Sequence, residues 1–418
     1  MSPLFNSYAK ASRVSLATLL LLLTQGTQSP AKTPAWLDPV LVTFFLSPDW
    51  APTYGPEFEF TSHEIVRDWP TDRPKFFAID NKTLIDGREG VLQKKLVAAI
   101  RLKCQTTGRC KVYEDLIAGE DQMTDSLNNP IYFLRFEDNL WFRIETDPGC
   151  VEVQMTPSTT DQLYDIEKRA RHFIFETAFE SGLIVEDGGN GHFNIGIESA
   201  FGPYGLALLS YIADYANFPE LSLGALGRNL DTAPPINGLS LLQRRAFEAL
   251  LRKVRAQRLA NPDLSLSTEE VAQKIAHDVY YQSRTRGFNG YHDQAISLST
   301  SIPDAFEYKR LKDLQRAEHR DNFAQPTFRH FILRGELFEW RMRHLVRQGL
   351  PLEYKAPERF QARHSKQALV DALFRYVGAD IERFVYFRPL LPNHLQNIWP
   401  TKAKSAQPCD SALLRNVL

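Results

Sequence analysis

Four short stretches of the chain alternate polar and apolar residues with a period of two. In an extended strand, side chains i, i+2 and i+4 look the same way. Glu57 and Glu59 therefore share one face, with Phe58 and Phe60 on the other. Cys150, Glu152 and Gln154 stand opposite Val151, Val153 and Met155, and His192 and Asn194 stand opposite Phe193 and Ile195. Arg316, Glu318 and Arg320 share a face in the last stretch. Elsewhere the period is helical. Leu163, Ile166, Ala170, Phe173, Ile174, Thr177 and Ala178 predict a helix over 159–181, with Gly182 at its end. Further helices are predicted over 203–215, 241–260 with Ser240 as N-cap, 268–282 and 328–347. Strands mixed with long helices, without regular alternation, predict an α+β fold rather than a parallel doubly wound sheet.

Proline-containing pieces at 29–39, at Pro234 and Pro235, and at 389–392 punctuate the chain. They predict an N-terminal segment over 1–35, a main domain over 40–345 and a helical C-terminal extension over 346–418. Lys10 and Arg13 precede an apolar run at 14–23 that is too short to span a bilayer. Its length and flanks are those of a secretory signal, with a buried helix or a misread start as the plainer readings.

Composition adds little that is global. The 418 residues are 43% hydrophobic and 24% charged, enough to bury a large core. With 49 basic and 50 acidic residues, nothing overall points to a nucleic-acid or membrane-surface partner. Cys104, Cys110, Cys150 and Cys409 include no CxxC pair, which argues against thiolate metal sites. The loop between Cys104 and Cys110 could be closed by a disulfide in an oxidising compartment, but the reading favours two free thiols.

Each polar face has an ordinary explanation: a solvated strand for Glu57 and Glu59, a turn-proximal polar residue for His192, a surface ion-pair ladder for Arg316, Glu318 and Arg320. Together they ask for more. If the four strands are neighbours, the polar faces form a floor of four carboxylates, an imidazole and two guanidiniums, while the apolar faces take helices. Carboxylates at that density call for cations, and oxygen-rich ligands suit Mg²⁺ or Mn²⁺. The arginines then fit phosphate or an anionic substrate through bidentate contact.

The order and spacing of these motifs resemble the glutamine synthetase superfamily, most closely its amidoligase branch, which is also similar to glutamate-cysteine ligases. Gly55 to Phe60 is similar to the family's first metal-binding strand, and Cys150 to Pro157, after residues 141–147, looks like a strand ending in a Glu and a Pro. Gly189 to Asn194 resembles a glycine-led His-x-His strand, and residues 291–299 followed by Arg316 to Arg320 resemble the last strand. The resemblance covers about residues 50–345. It implies a curved antiparallel sheet backed by helices, an ATP-binding trough, two or three divalent ions and ligation through an acyl phosphate. By the same resemblance, Glu57, His192 and Glu318 would share one metal and Glu59 and Glu152 another. Arg316 and Arg320 would be catalytic, with Asn194 and Arg316 at the nucleotide. Two departures stand out: Asn194 replaces the family's second His, and Gln154 cannot supply a second carboxylate beside Glu152.

The expected activity is thus an ATP- and Mg²⁺-dependent carboxylate-amine ligase whose partners are small-molecule or peptide carboxylates and amines, with no nucleic acid and no integral membrane span. A phosphotransferase of the same fold and an inactive exported binding protein are the rivals. Glu145 and Asp147 lie nearby in sequence without an assigned role as base. Arg228, Arg284, Arg286 and His292 are polar candidates for a pocket built from 61–140 and 200–290, with solvent exposure as the plainer reading. The N-terminal segment points to export, whereas ATP points to the cytoplasm.

Overall fold

The structure is a computed structural model, and it describes residues 39–68, 88–114, 129–138, 140–185, 190–218, 236–261, 265–280, 295–298, 316–350, 354 and 386–390. The apolar run at 14–23, Pro234 and Pro235, Arg228, Arg284, Arg286, His292, Cys409 and most of the predicted C-terminal extension lie outside the described residues. Among those described, no helix is long and apolar enough to cross a membrane.

The strands are β1 (Thr53–Phe60), β2 (Cys110–Glu114), β3 (Tyr132–Phe136), β4 (Trp141–Asp147), β5 (Cys150–Met155), β6 (Ser158–Thr159), β7 (Asn190–Gly196), β8 (Ile296–Ser297) and β9 (Arg316–Phe323). They form one nine-stranded sheet in the order β2-β3-β4-β5-β1-β7-β9-β8, with β6 pairing β1 off that path. Every pairing is antiparallel. The four stretches singled out by their alternation are adjacent strands, β5-β1-β7-β9. Pro56 falls where β1 passes from β6 to β5, the place in a central strand where a missing N–H costs least.

The main helices are α1 (Pro39–Leu46), α2 (Arg88–Thr107), α3 (Thr160–Ala170), α4 (Gly205–Asn217), α5 (Leu241–Ala260), α6 (Thr268–Lys274) and α7 (Phe328–Gln348). Where they start follows from local chemistry. Thr159, Ser240 and Ser267 each close a capping box with the Gln or Glu three residues on, satisfying two end N–H groups at once. The predicted helix over 159–181 is α3 continued by a π-helical turn, Arg171–Glu176, and a last turn, Thr177–Glu180. The widened turn buries Phe173, Ile174 and Phe175 in succession, which a regular 3.6-residue repeat does not allow on one face. Gly182 ends it at φ +76°, where only glycine is unstrained.

The apolar faces of β1, β5 and β7 pack against helices. Phe58 lies 4.9 Å from Phe175 and 5.8 Å from Phe331 between ring centres, and Tyr54 stacks on Phe193 at 5.3 Å. A Cβ on Gly335 of α7 would sit 3.0 Å from the Tyr54 ring, so the helix approaches β1 closely only because that position is bare. Helix α2, which the sequence reading passed over, covers β2 to β5 with Leu96, Val97 and Ile100.

Cys104 and Cys110 are joined in a disulfide rather than free, because the turn through Gly108 (φ +67°) folds β2 back on the end of α2 and brings the two Cα atoms to 4.9 Å. Cys150 is free and buried.

Candidate active site

The site is built in rows across the sheet, because residues paired between antiparallel strands share a face. Glu145 of β4, Glu152 of β5 and Glu59 of β1 are in register. The next row holds Arg143, Gln154 and Glu57, and His192 of β7 follows with its Nδ1 2.9 Å from Glu57 Oε2. A third row holds Gly55, Asn194, Glu318 and Ser297. The β7-β9 register shifts by one between Gly191 and Phe193, which places the irregularity at His192.

Glu57, Glu152, His192, Asn194 and Glu318 are each between 3% and 7% exposed, so their charged and polar groups must be met within the protein. Arg316 donates to Glu57 (2.9 Å) and Arg320 to Glu318 (2.7 Å). His192 Nδ1 also lies 3.1 Å from Glu318, and its Nε2 is 3.9 Å from Glu59. Burial works to raise the Glu57 pKa, but Arg316 and His192 outweigh it and hold the group below the ordinary value. Burial and Arg320 disfavour the charged His192, yet Glu318 and Glu57 raise its pKa overall.

The other half of the floor lacks such compensation. Burial pushes Glu59 up to about 7, with Asp147 and Glu57 adding repulsion against His192 and Arg320. Burial also lifts Glu152 well above the carboxylate range, and Glu57, Glu145 and Asp147 add to it. Its amide partner Gln154 donates to both Glu152 (2.5 Å) and Glu145 (2.8 Å). Burial, Glu59, Asp147 and Glu152 push the Cys150 thiol up as well.

Every sequence-predicted site residue in this face, Glu57, Glu59, Glu152, His192, Asn194, Arg316, Glu318 and Arg320, thus comes from one of four adjacent strands. The sequence reading missed the contribution of β4. Arg143, Glu145 and Asp147 alternate along it on the same face, and Glu145 sits directly across from Glu152. The second carboxylate absent from β5 is therefore supplied by its neighbour. The alternation of Arg143, Glu145 and Asp147 with Phe142, Ile144 and Thr146 was the signal that could have found it. Asn194 is held by donating to the main-chain oxygen of Gly55 (3.0 Å), which turns its own buried carbonyl oxygen, without a hydrogen-bond partner, the other way. From the apolar side Gln325 ties the strands together: with its amide oriented to satisfy both ends, its nitrogen donates to the main-chain oxygen of Glu57 (3.1 Å) and its oxygen accepts from Arg334 (2.5 Å).

Glu57, Glu152 and His192 each offer a ligand atom, all within 4.8 Å of one another. Two carboxylates and an imidazole, with Glu59 close by and lifted by burial, are a donor set that fits a divalent cation such as Mg²⁺ or Mn²⁺. This grouping crosses the division that the family resemblance implies, since it takes Glu152 rather than Glu318 with Glu57 and His192.

No protein-family model matches the chain, and no curated protein matches it. Among solved structures, one described as "Apo GmaS without ligand" is similar at 12% identity and a TM-score of 0.31, covering 88% of this chain and 76% of that chain. A likeness at that score carries no functional weight, so the site stands on its own residues.

Proposed function

We propose that the chain is an ATP- and Mg²⁺-dependent carboxylate-amine ligase. The observation that supports this reading is the single sheet face on which β5, β1, β7 and β9 gather Glu57, Glu59, Glu152, His192 and Glu318 beside Arg316 and Arg320. Its motif order agrees with the glutamine synthetase resemblance. Glu57, Glu152 and His192 would hold a divalent ion, with Glu59, in register with Glu152, beside them for a second. Such ions neutralise nucleotide phosphates and so make a phosphorus centre open to an anionic attacker.

The remaining chemistry falls to the chain's own residues. A substrate carboxylate oxygen forms a bond to the γ-phosphorus of ATP as the bond to ADP breaks, and Arg316 and Arg320 orient the transferring group by planar two-point contact. A neutral amine then bonds to the activated acyl carbon, the carbon–oxygen bond to phosphate breaks, and the amine's surplus proton passes to the leaving phosphate or to solvent. The buried floor limits water, which would otherwise hydrolyse the activated acid.

The test is ADP release by the purified protein with Mg²⁺ across amino acids, peptides and amines, with Glu318→Ala as control. Turnover that survives the substitution sinks the assignment, and a phosphorylated acceptor in place of an amide would make the protein a phosphotransferase. A second reading, an exported binding protein that keeps the fold, is favoured by the Cys104–Cys110 disulfide, since such bonds persist in oxidising compartments. It predicts ligand binding with no ADP release from any pair.

A further inference from the structure

The face that carries the site does not stop at β4. It continues over β3 and β2 with a different chemistry. Register places Lys111, Arg135 and Trp141 in one row and Tyr113, Phe133 and Arg143 in the next, all on the side that bears Glu57. The opposite side of these strands, with Leu134, Phe136, Phe142 and Ile144, is buried in the core with α2. Lys111, Tyr113 and Arg135 are exposed, and Phe133, Trp141 and Arg143 are half-buried. Three cations and three aromatic rings thus cover a sheet face continuous with the acidic floor.

Four of the six side chains hold one another in place. The Arg135 guanidinium lies 5.7 Å from the Phe133 ring centre and 5.9 Å from that of Tyr113, and Phe133 meets Trp141 edge-on at 6.0 Å. A guanidinium laid on rings keeps its N–H edge for carboxylate contact. Arg143 stands at the boundary. It pairs with Glu145 at 2.6 Å, while its Nε is buried without a hydrogen-bond partner.

We propose that this surface is the approach for the carboxylate substrate, and that the substrate is an acidic peptide or similarly carboxylate-rich chain. The inference rests on the ligase reading, which requires a carboxylate to enter the floor. Lys111 and Arg135 stand a strand spacing of roughly 5 Å apart and Arg143 lies diagonally beyond at roughly 7–8 Å, a row that matches several carboxylates rather than one. Arg143 takes the group nearest the reacting end. Single-stranded nucleic acid fits less well, because base stacking needs open ring faces and Arg135 covers those of Tyr113 and Phe133.

The test is binding of a fluorescein-labelled oligoglutamate peptide, read by anisotropy without nucleotide, to wild-type protein, to Lys111→Glu/Arg135→Glu and to the milder Lys111→Gln/Arg135→Gln. We expect binding that weakens with salt, falls about tenfold or more in the charge-reversed protein and less in the neutral one, and is not displaced by an oligonucleotide of equal charge. Equal binding by all three proteins, or displacement by the oligonucleotide, overturns the proposal. If the peptide binds as expected but no substrate releases ADP, the ligase reading falls and the docking surface stands. If small carboxylates turn over and the peptide does not bind, the reverse holds.

Discussion

Glu59 and Glu152 are the residues whose protonation the fold most strains. Glu59, raised by burial to about 7, keeps its proton in the folded chain at a pH where the unfolded chain has lost it. The folded state then binds more protons between the ordinary carboxylate value and 7, so this group's contribution to stability falls as pH rises through that window. His192, whose pKa burial lowers but Glu318 and Glu57 raise overall, changes stability in the same direction at higher pH. The melting temperature of metal-free protein should therefore drop from about pH 5 to about pH 7.5, by less in Glu59→Gln. Added Mg²⁺ should restore it at the upper pH with release of protons, and a melting temperature indifferent to both would argue against a cation site. Arg320, which holds Glu318, carries a different expectation. Arg320→Lys keeps the charge but loses the planar fork, so ADP release should fall roughly a hundredfold with the fold intact by circular dichroism.

At the scale of elements, what parity can reveal and what it cannot are separable. Alternation along one segment assigns each side chain to a face, which is why Glu57, Glu59, Glu152, His192, Glu318 and the two β9 arginines could be read as a group. It does not say which strands are neighbours. Glu145 had the same alternation, yet its partnership with Glu152 depends on β4 pairing β5. Helix α2 was passed over because its inward face includes Glu89 and Gln93, both buried: Gln93 donates to the Ile144 carbonyl, and Glu89 accepts from Gly149 N–H. Buried polar residues with such partners break the apolar stripe that marks a helix. The Cys104–Cys110 disulfide was visible only as the less favoured alternative for a similar reason, since it depends on how β2 returns to α2. Helix α5 by contrast was readable to its ends, and Ser240→Ala should cost about 1 kcal/mol in urea unfolding by removing its capping box. Beneath the floor, Phe58→Ala should cost about 3–5 kcal/mol, because Phe175, Phe328 and Phe331 surround a ring only 1% exposed. An unchanged urea midpoint would mean that the aromatic layer does not carry the sheet.

For the whole molecule, the Cys104–Cys110 bond closes a short loop at the sheet's β2 edge, so reducing it should destabilise the protein by about 2 kcal/mol without dismantling the distant β1-β7 floor. Non-reducing peptide mapping should find those two cysteines linked; finding both alkylated would refute the pairing. The sheet order has a consequence for how the chain comes together in time. β1, β4 and β5 bring Glu57, Glu59, Glu145 and Glu152 together early in synthesis, whereas Arg316 and Arg320 arrive on β9, more than 150 residues after β5. Until β9 docks, four carboxylates crowd a half-made sheet with Arg143 alone to offset them, since the guanidiniums that meet Glu57 and Glu318 have yet to emerge. Closing so long a loop is slow, and until it closes the mutual repulsion of the carboxylates loosens the strands already paired. A divalent ion in the refolding mixture should hold that intermediate together and speed recovery of the native state, acting as a stand-in for a strand that has not arrived.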